Sequence, residues 1–574
     1  MKQNKSINIR NYAVLALFLA VLAVALCACA KNDPETSPTA PVFTKNADGT
    51  GYVFEKYYGN DTQYTVPATY DGLPVTEIGL YAFSDNETLT SVTLPNGITS
   101  IGHGAFSNCT LLTSMHIPAS VQQLGDRAFY QCTALTSLTF DKGCRVETIG
   151  IYAFSDCTSL LSVTLPAATK SIGHRAFADC TALTSVAFEE NAQLQSLGTH
   201  VFYHDAALKS IALPDTLTEI PDYTFNSCTA LRELTISENT TLSYIGDYAF
   251  QNCRNIASLR LPPSLREIGL NTFAGCHKLL ELLNFSPLEL ERGTTKNGGV
   301  AYYALNIHTG KSKMQSVNDY LFYSQGNSYA LLRYDGTDTD LTLPTKINGN
   351  GYVVYQYAFY RDPSITSVTV PSTVTNIGSY AFYQCPSLTR VDLPKQLAGV
   401  GSYAFDGCEK LAMTAYEGAL YLGSPDAPYT VLVRAQSRDI TACNIHADTT
   451  VIASMAFLNC GDLAQIVIPK GIITLGTQSF QGCSNLKTVT FADGSRLKTF
   501  GANSFYSCYS LESINLPANT PYIPSGLFYD CGRLTSIRFG GTRAEWNALE
   551  KSSGWNENTP SYTVSCKDGN LEKE

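Results

Sequence analysis

Apolar positions recur along this chain in two linked phrases. Leu112-x-x-Met115-x-Ile117 and, one unit later, Leu135-x-x-Leu138-x-Phe140 alternate inward and outward residues as a short half-buried strand does. A second phrase, Ile-Gly-x-x-Ala-Phe-x-x-Cys, appears as Ile101-Gly102 to Cys109, Ile172-Gly173 to Cys180 and Ile245-Gly246 to Cys253. Between the phrases, Pro ends ladder pairing because it has no N–H to donate. The next apolar pair, such as Val121 and Leu124, is expected to turn the chain back, and Gly125 offers a position for close approach or positive φ. The Ala-Phe-x-x-Cys segment predicts one helical turn, with Phe plugging the core between coils.

The anchor phenylalanines run from Phe83 through Phe106, Phe129, Phe154, Phe177, Phe202, Phe225 and Phe250 to Phe273. A second series holds Phe359, Phe382 and Phe405, and a third holds Phe457, Phe480, Phe505 and Phe528. Within a series the spacing is always 23 or 25 residues. The shorter units end their strand in Pro, as at Pro118, Pro166 and Pro214. The longer ones replace it by an acidic turn, as at Asp141 and Glu189. No such unit buries its apolar face alone, so neighbours must stack. Tyr57-x-Gly59-x-Asp61 recurs as Tyr334-x-Gly336-x-Asp338 ahead of a fresh series, and both read as hairpin starters covering the open end of a stack.

These units resemble the BspA-type (Treponema-pallidum-like) leucine-rich repeats of bacterial surface proteins, over about residues 50 to 566. The resemblance implies a right-handed repeat solenoid with a parallel sheet of short strands on one face and short helical turns on the other. The expected organisation is a signal peptide over 1–28, a lipid anchor and tether over 29–44 and a first hairpin-capped block over 45–283. An irregular insertion or hinge over 284–325 follows, then a second block over 326–416, a third over 417–539 and a C-terminal cap and tail over 540–574. The looser Gly418 to Thr450 stretch precedes the third series.

The N-terminus adds a compartment. Lys2, Lys5 and Arg10 precede an apolar run from Tyr12 to Leu26, which is shorter than the ~20 residues a spanning helix needs. It closes on Leu26-Cys27-Ala28-Cys29, similar to the bacterial lipoprotein box. Cys29, preceded by the small Ala28, is the preferred acylation site over Cys27, and an ordinary secretory peptide is the other reading. Two or more acyl chains hold a protein at a membrane without a spanning helix. Secretion and anchoring at the bacterial cell surface are therefore expected, at an outer membrane or the outer face of a plasma membrane. A net charge of −10, with charged residues only 15% of the chain, argues against nucleic acid.

Most of the cysteines sit three residues after an anchor Phe. In a secreted chain that number invites disulfides. Equivalent thiols one coil apart point the same way, however, which is poor bridging geometry, so a buried thiol ladder is preferred. Cys144, Cys443 and Cys566 lie off the ladder. His200 and His204 lack the Glu of a zinc-helix motif, and Asp335 to Asp340 lacks the closing Glu of a calcium loop. No metal, cofactor or catalytic residue is expected, and the chain is read as a non-enzyme.

The residues flanking the inner position of each strand point outward. Most are Ser or Thr, which reads as a cross-strand hydroxyl ladder or as a binding face. Glu233, Arg260, Arg390, Asp392 and Arg538 interrupt it and are the candidate binding residues, with Tyr302, Tyr303, Tyr320, Tyr323, Tyr329 and Tyr334 as competing contact sites. The expected role is adhesion, to a host matrix or surface protein or glycan, or to a partner bacterial cell. A structural envelope spacer is the alternative.

Overall fold

The computed structural model describes residues 40–572, so Cys27, Cys29 and the signal segment lie outside the described residues. The chain divides into two compact units, one ending at Cys228 and one beginning at Thr229. Each is a solenoid of parallel strands with almost no helix.

The first unit opens on an antiparallel pair, Val42–Lys45 with Tyr52–Lys56, and the second of these strands pairs in parallel with Leu73–Ile78. The predicted strands then stack with equivalent residues opposed. Ser114–Ile117 lies against Ser137–Phe140, Met115 facing Leu138, and Ser162–Leu165 lies against Ser185–Phe188. A slip of one residue would turn every buried Leu and Val to water, which fixes the register. A second parallel ladder, not foreseen from the pattern, runs through Ser100–Ile101, Gln123–Leu124, Thr148–Ile149, Ser171–Ile172 and Ser196–Leu197. Leu124, read as a turn residue, is a strand residue of this ladder.

The Ala-Phe-x-x-Cys segment is not a helical turn. The residues two before and two after each anchor have positive φ, as at Tyr152 (55°) and Asp156 (61°) around Phe154, and this breaks any helix. The kinks aim three amides per coil along the stack. The N–H groups of Tyr152, Phe154 and Asp156 donate to the carbonyls of His174, Ala176 and Ala178 at 2.9, 2.7 and 2.9 Å.

Three further ladders run through the coils. Phe83, Phe106, Phe129 and Phe154 stack with centroids 4.8, 5.0 and 5.1 Å apart and nearly parallel rings. Such offset pairs add about 0.5–1.5 kcal/mol to the area they bury. The thiols of Cys109, Cys132, Cys157 and Cys180 each donate to the carbonyl of the preceding anchor, Phe83, Phe106, Phe129 and Phe154, at 3.1–3.2 Å. All sixteen described cysteines are unbridged. Glycines make close approaches: a Cβ on Gly125 would sit 2.7 Å from the carbonyl carbon of Gly102. The two unit lengths also interlock. Asp141 accepts from the amide of Ala119 (3.1 Å) and Glu189 from that of Ala167 (3.0 Å), so each acidic turn satisfies the Pro turn of the coil before it.

The second unit repeats these ladders in three runs. Ser258–Leu261, Glu281–Asn284 and Asn306–His308 pair in parallel, with residues 285–305 looping out between the last two. A meander of Met314–Val317, Tyr320–Gln325 and Ser328–Tyr334 then leads into Tyr352–Val354, Val374–Ile377 and Gly399–Val400. A second meander, Thr414–Tyr416, Ala419–Ser424 and Ala427–Ala435, starts the third run. That run ends on Ser536–Phe539, the helix Arg543–Ala548 and the pair Thr563–Cys566 with Gly569–Glu572. Thr542 and Glu545 form a capping box, and buried Trp546 closes the core against Phe539.

The repeated Tyr-x-Gly-x-Asp motif has one structure in both places. Tyr57 Oη donates to Asp61 (2.7 Å) and Tyr334 Oη donates to Asp338 (3.1 Å), and the same phenol oxygen accepts the aspartate's own amide. The intervening glycine lies so close under the ring that a Cβ would strike the phenol.

Candidate binding surfaces

On the first unit, the outward hydroxyls split into two sets. Thr90, Thr113 and Thr136, just before their strands, donate to the carbonyls of Thr62, Thr90 and Thr113 at 2.8–3.1 Å, so they hold the stack together. Ser114, Ser137, Ser162 and Thr164, on the strands themselves, are exposed, and their hydroxyls make no hydrogen bond among the described residues. Their donors and acceptors are free for a ligand. His116 is the exception on this face: it bridges Thr139 (2.9 Å) and Asp141 (3.0 Å).

The five charged candidates fall on different strands. Glu233 is exposed on Glu233–Thr235. Arg260 lays its guanidinium 3.9 Å from the centroid of Phe285, with Glu238 at 3.7 Å. Arg390 and Asp392 lie side by side on Arg390–Asp392 and form a forked pair at 2.6, 3.0 and 3.1 Å. Two strands away, Asp340 accepts from Thr366 and Ser367, both at 2.8 Å, and those bonds hold its carboxyl below the usual range. Arg538 is exposed between Asn515 and Ser565. The structure therefore gathers Arg390, Asp392 and Asp340 on one strand face and leaves Glu233, Arg260 and Arg538 apart from it.

A second surface was missed in the sequence. At the positive-φ position ahead of three successive anchors, Tyr357, Tyr380 and Tyr403 stack at 5.1 and 5.2 Å, and Tyr360 stacks on Tyr383 at 5.4 Å. His277 extends the first row at 4.2 Å from Tyr357, and Arg254 lies 4.9 Å over Tyr360. The signal was available as a Tyr-x-Phe-Tyr phrase, but it sat in the segment read as a helical turn. Of the competing tyrosines, Tyr320, Tyr323 and Tyr329 are buried, whereas Tyr302 is exposed.

Two buried charges also went unseen. Glu281 is fully buried; burial opposes its ionisation, yet hydrogen bonds from Ser312, the amide of Lys313, Ser258 and His308 outweigh it and hold the carboxyl below its ordinary value. Lys278 donates to Asn255 (2.8 Å) and to the carbonyl of Ala358 (3.0 Å), and burial pulls its ammonium down to about 7. Both side chains join the run before the loop to the run after it. Asp335, considered for calcium, is taken by Arg232 and Arg333 at 2.5 and 2.8 Å. Among the described residues no three His, Cys, Asp or Glu side chains converge to hold a metal.

The similarity of this chain to known proteins lies in its repeats. The BspA type leucine rich repeat region matches residues 76–196, 147–280, 195–329, 352–421 and 435–553. A leucine-rich repeat protein from Bacteroides ovatus is 21% identical, covering 85% of this chain and 95% of its own, at a TM-score of 0.37. A leucine rich cell surface protein from Faecalibacterium prausnitzii is 22% identical over 91% of this chain and 99% of its own, at 0.28. The T. pallidum leucine rich repeat protein is 26% identical over 39% of this chain and 90% of its own, at 0.30. A search of curated proteins returns no match. The repeat matches cover well over half of the sequence, and the chain belongs to the BspA-type leucine-rich-repeat family.

Proposed function

We propose that this chain is a surface-displayed adhesin, anchored through an acylated Cys29, that engages a host or partner-cell protein or glycan through its outward strand positions. The observation that carries the reading is the division of labour among the hydroxyls. Thr90, Thr113 and Thr136 are consumed within the stack, whereas Ser114, Ser137, Ser162 and Thr164 are exposed and uncommitted. A face that only stabilised the sheet would have no use for the second set. Arg390, Asp392 and Asp340 add a local charge pattern on which selectivity can rest. A spacer without a specific ligand is the second reading, and the self-satisfied threonine ladder favours it. Catalysis is not proposed, and the two fully buried carboxyls, Asp205 and Glu281, are enclosed in coil packing.

The test is a binding screen of immobilised residues 30–574 against extracellular-matrix proteins, mucins, host glycans and whole partner bacteria. Saturable binding to one class, weakened about tenfold or more by Arg390→Ala with Asp392→Ala, supports the adhesin. Binding no stronger than that of an unrelated repeat protein supports the spacer.

A further inference from the structure

Most coils pass the three amides around their anchor to the next stretch of chain; the Phe273 coil, ahead of the loop, passes only that of Phe273, and one coil passes none among the described residues. Tyr357, Phe359 and Arg361 donate to Ser379, Ala381 and Tyr383, and Tyr380, Phe382 and Gln384 donate to Ser402, Ala404 and Asp406. In the third run, Met455, Phe457 and Asn459 donate to Thr477, Ser479 and Gln481. The equivalent amides of the last coil of the second run, Tyr403, Phe405 and Gly407, have no acceptor among the described residues. Phe405 is nevertheless buried as a residue, so its amide has only the space beside it in which to find a partner.

The cause is visible in the neighbouring chain. Ser454 donates to the carbonyl of Val400 (3.3 Å), so the next run begins in step with the last coil. The two then part, because the end of Ala427–Ala435 takes the place of a coil: Ala435 donates to Ala456 at 2.7 Å, the bond an anchor amide makes elsewhere. Between the coil and this strand end lies a cavity of 330 Å³, lined by Tyr403, Phe405 and Gly407 on one side and Arg434, Ser437 and Arg438 on the other. That is far beyond a packing void, since one water occupies about 30 Å³. The carbonyls of Ser454 and Leu458, also at its wall, accept no hydrogen bond among the described residues.

We infer that this slot binds an extended polypeptide segment of a partner protein, by strand addition to the open coil edge. The reason is the form of the donor set. Three amides on alternate residues make a row, and in the coils anchored from Phe83 to Phe202, at Phe359 and Phe382, and from Phe457 to Phe505 that row is met by polypeptide carbonyls on alternate residues. Main-chain pairing of this kind supplies affinity, and the flanking side chains supply selectivity. Arg434 and Arg438 are exposed at the hairpin wall and make no ion pair among the described residues, so they select an acidic side chain on the guest. Asp406 and Glu409 at the coil wall disfavour a second acid there. This inference stands apart from the strand-face reading, and neither depends on the other.

The experiment pans a displayed library of short random peptides on residues 30–574 and measures the enriched sequences as synthetic peptides. The expected result is peptides with an acidic residue that slow hydrogen exchange at Tyr403, Phe405 and Gly407. They bind Ser437→Trp, which fills the slot, about tenfold more weakly or worse. The exposed pair Arg434→Glu with Arg438→Glu gives the same loss without touching the core, so the test does not depend on the filled variant folding. Failure to enrich any peptide over an unrelated repeat protein overturns the inference. So does equal binding to wild type and both variants, or protection confined to other amides.

Discussion

The coils from Phe83 to Phe177 and the loop-crossing stretch from Asn255 to Tyr360 solve one problem in opposite ways. In the first, the polar groups that hold the stack are satisfied in the same way one coil after another: thiol to Phe carbonyl, Thr hydroxyl to Thr carbonyl, acidic turn to Pro-turn amide. In the second, each is satisfied once only, Glu281 by Ser312 and the Lys313 amide, Lys278 by the Ala358 carbonyl. Translation along a stack makes a solution reusable, and a break in the stack forces a unique one. Charges can therefore be buried at breaks, where several donors converge, but not in the ladders.

Four measurements sharpen this contrast. The largest effect is expected from Phe129→Ala, which removes a ring stacked on both sides and should cost about 4 kcal/mol in denaturant unfolding, with the coils around it losing protection first. Glu281→Ala comes next, at about 3 kcal/mol, because it removes a fully buried carboxylate that four donors share, Ser258, His308, Ser312 and the Lys313 amide. Glu281→Gln should recover only part of this.

The third has the opposite sign. Asp205 stands where the ladder requires Cys; it is fully buried, one of its oxygens is unpartnered, and burial pushes its carboxyl well above the ordinary value. Asp205→Cys should stabilise the chain at neutral pH by about 1–2 kcal/mol. Because the folded carboxyl holds its proton more tightly than the unfolded one, stability is complete below the ordinary carboxylate range. It falls as pH rises through the raised value. The difference in melting temperature between wild type and Asp205→Cys should therefore shrink towards acid pH; a difference independent of pH would refute the assignment.

The smallest effect is a rate. Burial pushes the thiols of Cys109, Cys157 and Cys276 up to about 12, whereas Cys566 is only half-buried. Iodoacetamide should label Cys566 in the native protein and the ladder cysteines only after denaturation. Ready labelling at Cys157 would show that the ladder opens.

Features that repeat were readable from the chain. The strands, the Phe core and the unbridged thiol ladder all follow from fixed spacing, since a residue type recurring every coil must meet its own copy. The second strand ladder was not readable, because two-residue strands such as Gln123–Leu124 carry no alternation to detect. The positive-φ flanks were hidden by their composition: Tyr152, Arg175, Gln384 and Met455 occupy them, and the backbone position is dictated by stacking rather than by propensity. Asp205 was visible as a gap in the cysteine series. The roles of Lys278 and Glu281 depend on partners such as Ala358 and Ser312 that no local pattern identifies. Of the candidate surface, Arg390 beside Asp392 could be read from their spacing, but their grouping with Asp340 required the register of three strands.

The most direct measurement is residue-resolved hydrogen exchange on residues 30–574 without any ligand. Self-satisfying coils predict that the amides of Phe106, Phe129, Phe154, Phe359 and Phe382 are all strongly protected, while that of Phe405 exchanges at least about tenfold faster than that of Phe382 although both rings are buried. Equal protection at Phe382 and Phe405 would contradict the account, since it would mean that the last coil of the second run finds a partner within the chain.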